Sequence, residues 1–410
     1  MNIYTDIILV GIFINFLNYL IATMCNFHNL KSPSYNRAKD YYSYIDFRKM
    51  TLYSKSRSRA EVVFIFLSIM GLLFFWMFEG FRLLDEFVRS FNINFIVESI
   101  IYILVIFSFF ILLLLIYDIY INFYLDKKYR ISRMNVIEFA KSKFKRFAIY
   151  YLNALIILSS LFFFNHYFGY DFWWAFWLFA SIIIILYDYL YPFIYLYFLN
   201  KVKNEITPEL RNKILQFCDE IDFPISNINV FESSRKTNRL NAFFAGFGKS
   251  KNIIISDNII NNFTDSEILA VIGHEAGHYK LKHNIKNVIL SIILLGFILF
   301  LFRILIDNIE IFNSFYVYNI SFYVGIVLYT ILLSILFIII SPLLNNYLRS
   351  HETQADTFSY LHTKNKSALI SAIKKIYIIN LYNPVPHPYY VFFYYKRNPA
   401  EERIKIIENL

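Results

Sequence analysis

Cysteine is almost absent. Cys25 and Cys218 are the only two in 410 residues. They lie far apart in unlike segments, so neither a disulfide framework nor a CxxC site can be built from them. Charge is thin as well: 17% of residues are Asp, Glu, Lys or Arg, against roughly 25% in a soluble domain. The opening stretch lacks a basic leader and a small-residue cleavage site, so the first apolar block reads as a span and not as a signal peptide. Apolar residues fill the space left, at 58% hydrophobic and 20% aromatic. A soluble chain carries about 45–50%. The excess is gathered into long blocks, the pattern of a chain that folds in lipid. The net charge of +10 does not indicate nucleic acid, because the basic residues lie between the apolar blocks, where they set topology.

A helix needs about 20 apolar residues to cross a bilayer. Seven blocks qualify: Ile3–Cys25, Val62–Leu84, Phe95–Tyr120, Phe147–Phe168, Phe172–Leu199, Val288–Ile306 and Phe322–Leu344. The first connection carries Lys31, Arg37, Lys39, Arg48, Lys49, Lys55, Arg57 and Arg59, and the third is equally basic from Lys127 to Arg146. The fourth and sixth, near Asn165–Asp171 and Asp307–Ser321, contain no Lys or Arg. The positive-inside rule then puts the N-terminus outside and the odd-numbered connections and C-terminus in the cytosol. Glu79, Glu98 and Asp118 lie in or at the edge of spans, where an ionisable group faces a cavity, a partner or the interface. The chain divides into 1–200 (five spans), 201–286 (a cytosolic insert), 287–345 (two spans) and 346–410 (a cytosolic C-terminal part).

The insert reads as a small α+β unit. Thr207-Pro208-Glu209 starts a helix, with Thr as cap and Pro in the first turn, and Asp222-Phe223-Pro224 ends it. Asn227–Glu232, Asn241–Gly246 and Asn252–Ser256 read as short strands, the last two joined by a turn at Gly248-Lys249-Ser250. Thr264-Asp265-Ser266-Glu267 is a capping box and opens another helix.

That helix holds His274-Glu275-Ala276-Gly277-His278. Histidines four apart share a helical face and can reach one ion, and Glu275 beside them can take a proton from water. A catalytic zinc normally has three protein ligands and an open position. The third candidate is Glu352, in Ser350-His351-Glu352-Thr353-Gln354-Ala355-Asp356, just past the last span. Asp356, one turn on, shares its face and can hold the far nitrogen of a ligand histidine. His351 is the rival; it points about 100° away from Glu352 on a helix.

These motifs resemble the CAAX prenyl protease type 1 family, integral-membrane zinc endopeptidases that mature prenylated proteins. The similarity is strongest over Glu267–Asn287, Ser350–Phe358 and Ile221-Asp222-Phe223-Pro224. Tyr187-Asp188-Tyr189 before Pro192, and Phe123–Phe139, also fit. The resemblance implies a mainly α, polytopic fold, with seven transmembrane helices around a chamber and a small cytosolic α+β gluzincin protease domain. It also implies one Zn2+ on His274, His278 and Glu352, catalytic roles for Glu275 and Asp356, and an edge strand at Asn241-Ala242 that holds the substrate backbone. An exposed strand edge can pair with an extended peptide in that way. Arg403, in the Glu402-Arg403 pair of the family's His-Pro-x-x-x-Glu-Arg pattern, is a further expected substrate contact. The chain departs from that pattern. Arg397 or Asn398 stands where the family has histidine, depending on whether the match is counted from Glu402-Arg403 or from Pro399, and His387 is a possible substitute. Expected partners are a peptide or protein substrate, prenylated or not, and the lipid bilayer. Other readings are a quality-control protease of a bacterial membrane and, in another class, a non-catalytic scaffold or transporter. The membrane would be the endoplasmic reticulum or inner nuclear membrane in a eukaryote and the cytoplasmic membrane in a bacterium.

Overall fold

The computed structural model describes residues 2–30, 35–198, 202–203, 206–245 and 252–410. The expected turn at Gly248-Lys249-Ser250 lies outside them. The apolar blocks form helices, because a backbone in lipid must satisfy its own hydrogen bonds. Among the described residues six helical runs are long and apolar enough to cross a membrane: Ile3–Asn29, Tyr44–Met77, Phe95–Lys128, Val136–Leu190, His283–Leu305 and Phe322–Thr363. Large apolar side chains such as Phe66, Phe74, Leu112, Ile182, Ile293 and Ile339 face outward along them.

One expectation about these spans needs correction. The block Val62–Leu84 is not one helix: Tyr44–Met77 stops, Glu79 turns left-handed at φ 54°, and an amphipathic helix, Gly80–Arg89, starts anew. A Cβ on Gly80 would stand 2.6 Å from the Phe75 carbonyl, so only glycine permits so abrupt a break. Glu79 then pairs with Arg82. The basic connections, moreover, are largely helix and not loop. Lys and Arg favour helix as much as most residues do, and the helices run on past their apolar blocks. Asp118, at such a place, is bound by Lys143 at 2.6 Å and by Arg146. Glu98 sits in the first turn of its helix.

The last long helix, Phe322–Thr363, runs without interruption through Pro342 into the Glu352 segment. The expected third ligand therefore stands on the same rod as the final apolar block. The insert folds largely as its turn signals indicate. Thr207 caps the helix Pro208–Glu220, and Thr264 and Glu267 cap each other at the start of Asp265–Lys280. Four strands, β1 (Val202–Lys203), β2 (Asn227–Phe231), β3 (Ala242–Ala245) and β4 (Asn252–Ser256), form a sheet in the order β1-β2-β4-β3. β2 and β4 run parallel; β3 is antiparallel to β4, Ala242 facing Ile255. Ile253 and Ile255 on β4 bury against Ile214, Phe217, Ile268 and Ile272, which fixes the helix Asp265–Lys280 to the sheet.

Candidate metal centre

Two helices build the site, and their close approach comes from small residues. Gly277, inside the His-Glu-x-x-His motif, leaves little space for a side chain: a Cβ would meet Ala355 Cα and Phe358 Cβ at 3.0 Å, closer than ordinary contact. Ser359 bonds the Ala270 carbonyl at 2.7 Å one turn further along. The helix Asp265–Lys280 thus lies directly against Phe322–Thr363, which aims both histidines at Glu352.

His274 Nε2 and His278 Nε2 are 3.1 Å apart. The Glu352 oxygens are 3.6 Å from the first and 3.8 Å from the second. One ligand atom from each residue lies within 4.8 Å of the others. The donor set fits a divalent cation. Glu352 Oε2 is buried with no hydrogen-bond partner among the described residues, and the two imidazole nitrogens are close enough to share one ion with it. The electrostatics agree. Burial would lower the His274 pKa, but the Asp356 and Glu352 carboxylates outweigh it and raise it, so this spot favours positive charge. His278 goes the other way: burial, then the neighbouring His274 and His283, keep it neutral, as a ligand imidazole must be.

Behind the first histidine, Asp356 Oδ1 lies 2.8 Å from His274 Nδ1. Arg403 binds Asp356 through Nε at 2.8 Å and through its terminal nitrogen at 2.7 Å. All of Asp356 and Arg403 is essentially buried. Glu275 is beside the cluster. Burial pushes its carboxyl up, His274 and Arg397 pull it down, and the result is about 7.

The remaining expected residues fall out as follows. His351 does not join the cluster; its ring stacks on His283, centroids 3.9 Å apart and planes 6° apart. Asn241, whose carbonyl accepts from Ser256 N–H, immediately precedes the edge strand β3, and Ala242 opens it. Of the two residues competing for the family's histidine position, Arg397 reaches the cluster, with Nε 3.1 Å from Glu352 Oε1. Asn398 is buried and spent on Thr353 and the Tyr377 hydroxyl. His387 caps the helix Pro388–Tyr394, accepting from Tyr389 N–H, and is not part of the site. Sequence reasoning missed His283, which lies 2.9 Å from His278; its only signal was a further histidine five positions past the motif.

A family model described as peptidase family M48 matches residues 204–410. The chain belongs to peptidase family M48. Membership implies a metal, which the His274–His278–Glu352 group is suited to hold. A second family model, described as the CAAX prenyl protease N-terminal region with five membrane helices, matches residues 26–201. With the apolar helices, this makes the chain an integral, multi-pass membrane protein. Curated relatives include a CAAX prenyl protease 1 homolog of Dictyostelium discoideum, 33% identical over 40% of this chain and 40% of the relative. Another, from Homo sapiens, is 28% identical over 49% and 50%. An uncharacterized metalloprotease of Bacillus subtilis is 30% identical over 49% and 47%. The chain thus aligns with half or less of the length of these relatives. The crystal structure of S. mikatae Ste24p matches over 100% of both chains with a TM-score of 0.90 and 23% identity, a likeness that carries the fold.

Proposed function

We propose that this M48 protein is a zinc-dependent membrane endopeptidase that cuts peptide bonds of membrane-associated substrates at the cytosolic face. The observation that carries the reading is the convergence of His274, His278 and Glu352, with Glu275 adjacent and Asp356 behind. Two imidazoles and a carboxylate are the donor set of many catalytic zinc sites. Bound there, zinc supplies Lewis-acid chemistry toward water and carbonyl oxygen.

The chain's own residues divide the remaining work. Glu275, poised near neutrality by burial, takes the proton of the attacking water and returns it to the leaving amine. The outer edge of β3, from Asn241 and Ala242 onward, aligns the peptide backbone. Arg397, two-thirds exposed beside Glu352, donates a hydrogen bond to the negative charge that develops on the carbonyl oxygen. A guanidinium donates hydrogen bonds and accepts none, so Arg397 serves as an electrostatic group only. Arg403 acts through Asp356 and keeps His274 in place.

The run Val136–Leu190 contains two helices that pack together, since Phe164 meets Phe176 and Phe179 across the turn at Gly169–Asp171. Counted as two passes, it brings the total to the expected seven, around a chamber capped by a small α+β protease domain. By the positive-inside rule the basic flanks favour a cytosolic active site. The CAAX prenyl protease names of several relatives make a prenylated peptide the first substrate to offer. The test measures zinc content and hydrolysis of a farnesylated CAAX peptide and its unprenylated twin by purified wild type and Glu275→Gln. Zinc in both proteins with hydrolysis by wild type alone supports the reading. Equal hydrolysis by both overturns it. Cleavage of both peptides alike would favour broad membrane-protein proteolysis, the alternative that the Bacillus subtilis relative brings into view.

A further inference from the structure

The two histidines of the centre are held from behind by different chemistry. Behind His274 stands a carboxylate. Behind His278 stands another imidazole: His283 Nδ1 is 2.9 Å from His278 Nδ1, and His283 Nε2 is 3.0 Å from Gln354 Oε1. We propose that His283 is a positioning residue for zinc, its Nδ1 accepting the His278 Nδ1–H and so presenting the His278 Nε2 lone pair to the ion. The inference rests on the zinc reading above.

Donors and acceptors leave one consistent chain. A metal-bound nitrogen carries no proton, so His278 holds its proton on Nδ1. His283 Nδ1 must then accept, and its own proton sits on Nε2. Gln354 receives that proton's hydrogen bond on its amide oxygen. Turning the amide over would reverse every donor in the chain and protonate His278 Nε2, which closes the metal site. An imidazole also supplies the acceptor without adding a third carboxylate charge beside Glu352 and Asp356.

The fold holds His283 tightly. Lys282 is left-handed at φ 56°, and His283 is the first residue of the helix His283–Leu305. That break turns the chain back, so that a residue five positions past His278 lies behind its ring. His283 is 1% exposed, and His351 covers its face in parallel. The wall that rejects His351 as a ligand is therefore the wall that fixes His283.

The test uses the full chain in detergent and reads zinc affinity by competition with a chromogenic chelator, together with thermal unfolding of the metal-free protein. In His283→Asn the amide oxygen occupies the position of Nδ1 and still accepts. In His283→Gln the amide moves one bond outward, and in His283→Ala there is no acceptor. The Gln and Ala variants should bind zinc about 10–100-fold more weakly and the Asn variant within about threefold of wild type. Metal-free unfolding temperatures should match between Asn and Gln. Equal weakening in Asn and Gln, or no weakening in either, overturns the assignment, and this pair decides even if the Ala variant fails to fold. Wild type that binds no zinc would overturn the zinc reading itself, a separate and recognisable result.

Discussion

Arg403 offers the sharpest test, because two roles for it predict opposite phenotypes. Its guanidinium makes bonds of 2.8 and 2.7 Å to Asp356, and both side chains are under a tenth exposed. Replacing it, as in Arg403→Leu, leaves the Asp356 carboxylate buried with His274 as its one remaining side-chain partner among the described residues. Removing one member of a buried pair costs about 3–5 kcal/mol. The released carboxylate also loses its fixed orientation toward His274 Nδ1, and losing such a partner weakens metal binding by about 10–100-fold. The metal-free protein should therefore unfold at a clearly lower temperature and bind zinc more weakly, while the KM of whatever molecules remain folded and loaded changes little. Adding Asp356→Asn removes the stranded charge, so the double variant should regain part of the lost stability, a coupling that a double-mutant cycle measures. An unchanged unfolding temperature with a raised KM would refute this and restore Arg403 to the substrate-contact role that family resemblance suggests.

Glu352→Ala should strip zinc from the chain in chelator competition, whereas His351→Ala should retain it, since His351 packs on His283. Gly277→Val should force apart the helices that carry the candidate ligands, since even a Cβ there would stand only 3.0 Å from Ala355 and Phe358, and should lower zinc stoichiometry even in protein that remains soluble. The pH dependence of stability should show Glu267. Burial alone would raise its carboxyl, but Lys375, Ser371 and the Thr264 N–H outweigh it and hold it low. A lowered folded pKa means that the stabilisation is complete above the unfolded value of about 4 and is lost as pH falls through the folded value. The gap in unfolding temperature between wild type and Glu267→Gln should thus close in acid; a gap independent of pH would contradict it. Cysteines placed at exposed Lys49 and Lys282 should label from one side of the membrane and one at Tyr318 from the other; labelling of Lys49 and Lys282 from opposite sides would invalidate the proposed topology.

Local rules were enough for much of this protein. Long apolar runs dictate membrane helices because no other backbone satisfies itself in lipid. The Thr264–Glu267 box and the Thr207-Pro208 start act within one turn, and both helices begin where those residues say. The i, i+4 spacing of His274 and His278, and of Glu352 and Asp356, fixes shared faces before any tertiary contact exists. What local rules could not supply is which distant groups meet. Glu79 breaks a helix that hydropathy reads as continuous, because hydropathy does not register a left-handed residue before a crowded glycine. The choice between Arg397 and Asn398 is made by the C-terminal segment's path across the helix Phe322–Thr363. Arg403 is claimed by Asp356, and His283 by His278, through the packing of helices far apart in sequence or folded back on themselves. Residue type and spacing picked out His274, His278 and Glu352 as a group suited to a metal; only the folded chain decided what holds those side chains still, because the price of burying each polar partner is set by neighbours that no sequence window contains.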